Sequence, residues 1–160
     1  MAEYHLRKTE KTTDDQEVVD KVIMTGKYMS LALCLDNEPY VVTLSYGYDR
    51  EKNVLYSHCA KKGHKLDIIR INNRVCGTVI VDGGYIQGEC GQPFESVVFR
   101  GTVDEVFDLD EKKHAMSMML KHLEDDPGIV QKSKLDEDKR YNAFGILRIN
   151  IEEIRVKKGR

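Results

Sequence analysis

The run YSHCAKKGHKL at residues 56–66 gathers Ser57, His58, Cys59, Lys61, Lys62, His64 and Lys65 within a few positions, and no acid follows until Asp67. Its left half has the composition of a strand and its right half opens a helical pattern, with the turn at Gly63. Unpaired backbone N–H groups and a positive dipole end at the helix start, beside three lysines and a histidine, make a cradle for an anion, most naturally a phosphate. A solvated lysine cluster is the equal alternative on these residues alone. Strand alternation sends Tyr56 and His58 one way and Ser57 and Cys59 the other.

Other chemistries fit this run less well. His58, Cys59 and His64 lie within reach of one metal ion, but the intervening lysines repel a cation, and the four cysteines (Cys34, Cys59, Cys76, Cys90) form no CxxC pair. They read as free thiols, mostly buried as small apolar groups. Cys59 has no defined base for thiol catalysis. His58 can hydrogen-bond a ligand or donate a proton near neutral pH, yet no nearby acid completes a hydrolytic triad. No nucleophile elbow and no glycine-rich dinucleotide or P-loop is present, so redox chemistry requires a borrowed cofactor.

The elements around the run follow from periodicity. TTDDQEVVDKVIMTG predicts a helix over about 13–25, with Thr13 and Gln16 at capping-box spacing, a stripe of Val18, Val19, Val22 and Ile23, and a left-handed Gly26 at its end. YMSLALCLD, YVVTLSYGY and VLYSHCA alternate as strands, joined by the polar turns DNEP and DREKN, which predicts an antiparallel meander. HKLDIIRINN is helical in pattern, with Leu66 and Ile69 inward. RVCGTVIVDGGYI and FESVVFRGTVDEVFD are the longest strands. Asp108 caps an amphipathic helix over about 109–124, striped by Ala115, Met116, Met119, Leu120 and Leu123 and stopped by Pro127. Residues 126–142 show no period and read as loop or lid, with room for a helical turn. AFGILRINIEEIRVKK is the last strand.

Some six strands with single inserted helices and no βαβ rhythm predict a mainly β protein, a small closed antiparallel barrel over about 28–108 and 142–156 in a single domain, 1–160. Such a barrel fills its interior with side chains, so a ligand binds outside, in a crevice or between subunits. The formal charge of −2 gives no reason to expect nucleic acid or an anionic membrane as partner. No apolar run approaches the roughly 20 residues that span a bilayer. The first residues lack a secretory signal pattern, so the expected location is cytoplasmic.

Three blocks, PYVVTLSYGYD, LYSHCAKKGHKL…N.RVC and SVVFRGTVDEV, stand in one order and spacing between about residues 18 and 123. Together they resemble the pyridoxamine 5′-phosphate oxidase-like FMN-binding split barrels, and within them the nitroimidazole-resistance type. The resemblance implies a six-stranded split barrel and a homodimer with two FMN sites shared between subunits. Val42, Thr43 and Leu44 would run under the isoalloxazine ring, offering backbone groups to its polar edge. Ser57 and His58 would lie along the flavin and phosphate side, and Lys62, Gly63, His64 and Lys65 would hold the phosphate. Ser96 would touch the ring from the partner chain, and His58 would face the substrate pocket as the candidate catalytic group.

Two positions depart from that pattern. Thr43 stands where many relatives carry Pro, and His64 where many carry Arg, which leaves the permanent charge to Lys62 and Lys65. The chain has no Trp and no C-terminal Arg-x-His signature, so vitamin B6 oxidation is not expected. The resemblance implies an FMN-dependent oxidoreductase that takes electrons from NADH or NADPH to a small nitro-aromatic or quinone substrate. A non-catalytic flavin-binding or sensor protein, or a heme-binding split barrel with His58 as axial ligand, are the alternatives.

Overall fold

A bend at Tyr46 organises the molecule. The computed structural model describes residues 12, 13 and 15–159. Within them β3 (Glu38–Ser45) and β4 (Gly47–Asp49) are two halves of one run, broken at Tyr46. Tyr46 is fully buried and its hydroxyl donates toward the Ile23 carbonyl at 2.7 Å and the Gly26 carbonyl at 3.0 Å. At Gly47 an added Cβ would lie 2.4 Å from the Met119 backbone nitrogen, so only glycine lets the strand pass this close to a helix.

The bend gives the two halves different partners. β3 pairs with β2 (Tyr28–Leu35), while β4 pairs with β5 (Val54–Cys59). With β6 (Arg74–Asp82), β7 (Phe94–Val106) and β8 (Gly145–Gly159), the hydrogen-bonded order is β3-β2-β6-β7-β8-β5-β4, all antiparallel. β1 (Thr12–Thr13) adds to β8. The ladder does not close on itself. Its two ends are the halves of the bent strand, so the chain closes the ring covalently through Tyr46, which makes a split barrel. The expected meander therefore breaks at its second strand, because β5 pairs with β4 and β8.

Alternation fills the interior. Leu31, Leu33, Val79, Val97, Phe99, Leu147 and Ile149 join Val19, Val22 and Ile23 of α1 (Gln16–Thr25) in one core. α3 (Leu109–Leu123) covers the outside of β4 and β5 with Ala115 and Met119, which pack with Val54, Tyr56, Val106 and Ile146 in a second cluster. α2 (His64–Ile71) buries Leu66, Ile68 and Ile69.

Several expectations are corrected. The cap of α1 is Asp15, whose carboxylate accepts from the Glu17 amide at 2.9 Å, while Thr13 belongs to β1; Asp14 lies outside the described residues. Gly26 is extended (φ −67°) and not left-handed; glycine is required there because a Cβ would meet Val79 at 2.2 Å. Pro127 does not end α3, which stops at Leu123; it opens α4 (Pro127–Lys134) under an Asp126 cap, as its fixed φ favours at a first helical position. A 3-10 turn follows over Asp138–Asn142, so residues 126–142 are largely helical. Of the four cysteines only Cys59 is buried. None of the described helices is long and apolar enough to cross a membrane.

Candidate functional site

The bend that splits the strand also builds the seam where the candidate residues meet. β3 is one end of the ladder, paired with β2 alone, so its other edge carries backbone donors and acceptors that no strand takes. Two contacts hold β5 and α2 against this edge. Ser57, wholly buried, donates its hydroxyl to the Ser45 carbonyl at 2.7 Å. Farther along, the Tyr40 ring meets the His64 ring edge-on, with centroids 4.9 Å apart at 79°. Val42, Thr43 and Leu44 lie between these anchors. Val42 and Leu44 turn toward the core and Thr43 is exposed.

The start of α2 supplies the donors. Gly63 precedes the helix at φ 140°, a conformation that L side chains rarely adopt, and a Cβ built there would meet nothing within 4 Å. The Gly63 carbonyl takes the Leu66 and Asp67 amides. The His64 and Lys65 amides have no partner among the described residues, and no side chain caps the helix. Lys61 and Lys62 are exposed and Lys65 half-buried, and none of the three forms an ion pair among the described residues. Open space over a glycine, two unpartnered amides and three unpaired ammonium groups fit a phosphate.

His58 is exposed on the opposite face of β5 from Ser57, in register with Ile146 and, through it, with Val106, both of which pack under α3. Cys59, behind it, is buried; desolvation pushes its thiol up despite the nearby Lys65, which keeps it in the protonated, unreactive form. Ser96 stands apart. It is buried on β7, opposite Ile80, three strand spacings around the sheet from Ser45, roughly 14 Å at the usual interstrand distance. The chain therefore brings Val42–Leu44, Ser57 and the start of α2 to one seam, sets His58 on the other face of β5, and leaves Ser96 elsewhere on the barrel.

A second constellation, absent from the sequence reading, lies on the other face of β5 beneath α3. There a cavity of about 580 Å3 is bordered by Tyr56, Glu111, His114 and Arg148. Glu111 accepts from Tyr56 at 3.2 Å and from Arg148 at 2.8 Å, and Arg148 reaches Asp104 at 3.2 Å. His114 Nε2 lies 2.6 Å from Asp49 Oδ2. Burial and the Glu111 charge push the Tyr56 hydroxyl up to about 12, so it stays a donor. These contacts tie α3 to β5 and β8, although the buried Arg148 Nε finds no partner among the described residues. Their residues are separated by 37 to 65 positions in the chain, which is why no local motif announced them.

Comparison with solved structures gives the same architecture. A candidate 5-nitroimidazole antibiotic resistance protein from Bacteroides thetaiotaomicron is 24% identical, with 92% of this chain and 87% of that chain covered at a TM-score of 0.77. The flavocytochrome Anf3 of Azotobacter vinelandii is 18% identical over 97% of this chain and 72% of that one, at 0.80. An FAD-binding protein from Mesorhizobium loti is 27% identical over 93% and 96%, at 0.64. No curated protein matches the chain significantly. The family model described as pyridoxamine 5′-phosphate oxidase matches residues 15–158, nearly all of the sequence, and with the split barrel around it the chain belongs to that family.

Proposed function

We propose that this chain is a flavin-dependent oxidoreductase whose FMN moiety lies along the free edge of β3 with its phosphate over the start of α2. The observation that carries the reading is the seam itself. Ser57–Ser45 and Tyr40–His64 fix an unpaired strand edge beside two free helix amides and three unpaired lysines. When bound, the flavin supplies the site's redox chemistry. The protein's residues then bind and orient. Val42, Thr43 and Leu44 present backbone groups to the ring's polar edge, and Lys62, Gly63, His64 and Lys65 hold the phosphate. Ser57 keeps the strip in place, its hydroxyl being committed to Ser45. His58, exposed near the end of β5, donates a hydrogen bond or proton to a small aromatic or nitro-type substrate, with NADH or NADPH as electron source. Family membership and the 27% identity to an FAD-binding protein support the flavin.

The same reading asks for a second copy. The outer face of β3-β2-β6-β7 places Val41 beside Ala32 and Cys76, and Thr43 beside Ser30, Thr78 and Val98. Tyr28, Val41 and Ile80 are each more than half exposed there, with Arg100 of β7 opposite Cys76 as a charged residue on the same face. A face of this composition suits pairing of two barrels, which would cover the strip and bring Ser96 of one copy to the other. A cytoplasmic location belongs to the same proposal.

Purified protein, reconstituted with added FMN, is expected to show flavin absorbance and to oxidise NADH or NADPH in the presence of a quinone or nitro-aromatic acceptor. His58→Ala should keep the flavin and lose turnover. Flavin binding without turnover in the wild type would leave a flavin-binding protein alone. Failure to bind flavin at all, with a Soret band on adding hemin that His58→Ala abolishes, would replace the reading with heme binding.

A further inference from the structure

The last turn of α3 is clipped to the link between α1 and β2 by a reciprocal pair of bonds. His122 Nε2 lies 2.7 Å from the Gly26 carbonyl, and the Lys27 ammonium donates to the His122 carbonyl. The imidazole, 6% exposed, also lies against the Tyr46 ring, with centroids 4.8 Å apart. Facing a carbonyl, Nε2 must carry the hydrogen, which leaves a lone pair on Nδ1 in the neutral ring. That Nδ1 is buried and finds no partner among the described residues. The pocket is built for the neutral imidazole.

A second proton would go to Nδ1, making a donor without an acceptor and a charge in a buried site. No neighbour offers relief. The α1–β2 link brings Lys27, another cation. The bent strand brings Tyr46, whose hydroxyl is committed to the Ile23 and Gly26 carbonyls and which burial keeps protonated. On α3 itself Lys121 and Glu124 are exposed. Burial first, and Lys27 after it, hold the His122 imidazole below the ordinary histidine range. The strain of a proton would reach the seam by a short path. Tyr46 runs directly into Ser45, whose carbonyl takes the Ser57 hydroxyl, and then into Leu44, Thr43 and Val42. We propose that His122 is an acid-sensitive latch, which pins the bend to the end of α3 when neutral and, once protonated, frees that turn and loosens the flavin strip. Its effect on the strip rests on the flavin reading above and concerns regulation of that site.

Hydrogen exchange on flavin-free protein reads the latch by itself. An imidazole released to water takes its proton near about pH 6.5. Protection factors at Gly47 and through the last turn of α3 should therefore fall by up to about tenfold between about pH 7.5 and 5.5. His122→Phe keeps a ring against Tyr46, leaves the Gly26 carbonyl to the Tyr46 hydroxyl, and cannot take a proton. His122→Gln keeps the donor instead. In either variant protection there should be the same at both pH values. Titration with FMN reads the coupling. Its phosphate gains a proton near about pH 6 whichever variant is used, so the latch shows as an excess. Wild type should lose up to about tenfold more affinity on acidification than the two variants. Protection at the bend that acid leaves unchanged in wild type, or lowers equally in the variants, overturns the latch. Equal losses of FMN affinity in all three proteins overturn its hold on the site and leave the flavin reading standing. Absence of flavin binding at both pH values overturns that reading, and the exchange result alone then decides the latch.

Discussion

Removing one hydroxyl at the seam tests whether it holds the candidate site together. Ser57 is 0% exposed and donates to the Ser45 carbonyl at 2.7 Å, across the gap where the ladder is open. A neutral buried hydrogen bond has a net worth of about 0.5–1.5 kcal/mol. In a domain of this size each kcal/mol moves Tm by roughly 2–4 °C, so Ser57→Ala should lower Tm by roughly 1–6 °C. Ser133→Ala is the matched control. It loses a bond of the same length, to the Ile129 carbonyl, on an exposed helix, where water replaces it. Thermal unfolding followed by circular dichroism gives the stability term, and flavin titration gives the local one. The Ser57 variant should lose flavin affinity, because β3 is released from β5 where the ring would lie, and Ser57→Thr should restore much of both. Equal Tm and equal flavin affinity in Ser57→Ala and Ser133→Ala would refute the claim that this hydroxyl fixes the strip.

Three other perturbations probe different links. Lys62→Glu with Lys65→Glu replaces two unpaired cations by anions at the start of α2 and should weaken flavin binding by about tenfold or more while leaving Tm nearly unchanged; unaltered affinity in titration would remove the phosphate cradle. Gly47→Ala puts a Cβ 2.4 Å from the Met119 backbone and should destabilise by about 1–3 kcal/mol or more, seen as a lower midpoint in urea; a wild-type midpoint would mean α3 does not pin the bend. His122 is buried, with Nε2 2.7 Å from the Gly26 carbonyl, and burial holds its pKa below the ordinary value, with Lys27 adding to the effect. The unfolded chain then binds the extra proton first, so stability should fall as pH drops below about 6.5, by at most about 1.4 kcal/mol per unit. A Tm independent of pH between neutral and mildly acidic buffers would contradict this.

What could be read from the sequence depended on range. The lysine turn was legible because its chemistry is local: Gly63, the helix start and the cations lie within five residues. The alternation of YMSLALCLD puts Leu31, Leu33 and Leu35 on one side; the first two are buried, and Leu35, next to the hairpin turn, is half-buried. The bend was not legible, because YVVTLSYGYD alternates without a break and Gly47 alone hints at α3 above it. α4 was missed because it buries no residue and so carries no apolar stripe, although Asp126 and Pro127 spell a helix start. The anchors of the strip, Ser57 to Ser45 and Tyr40 to His64, join residues that only the split of β3 from β4 brings together.

One consequence of this construction couples the cofactor to the stability of the whole chain. The strip lies on the open end of the ladder, where β3 has a single neighbouring strand, and Val42 and Leu44 against the core, the Ser57 hydroxyl and the Tyr40–His64 ring contact hold it in place. The same run continues through Tyr46, whose hydroxyl bonds the end of α1 and whose ring lies 4.8 Å from His122 of α3. A ligand bound across the strip adds contacts only in the folded state. At a free concentration a hundred times its dissociation constant it contributes about 2.7 kcal/mol. At roughly 2–4 °C per kcal/mol, saturating flavin should raise Tm by roughly 5–11 °C. Because the ligand lies on the edge of β3 that no strand takes, protection from hydrogen exchange should rise most at Val42, Thr43 and Leu44 and at the start of α2. Protection confined to the outer face of α3, or a Tm that flavin leaves unmoved at saturation, would place the cofactor away from the seam.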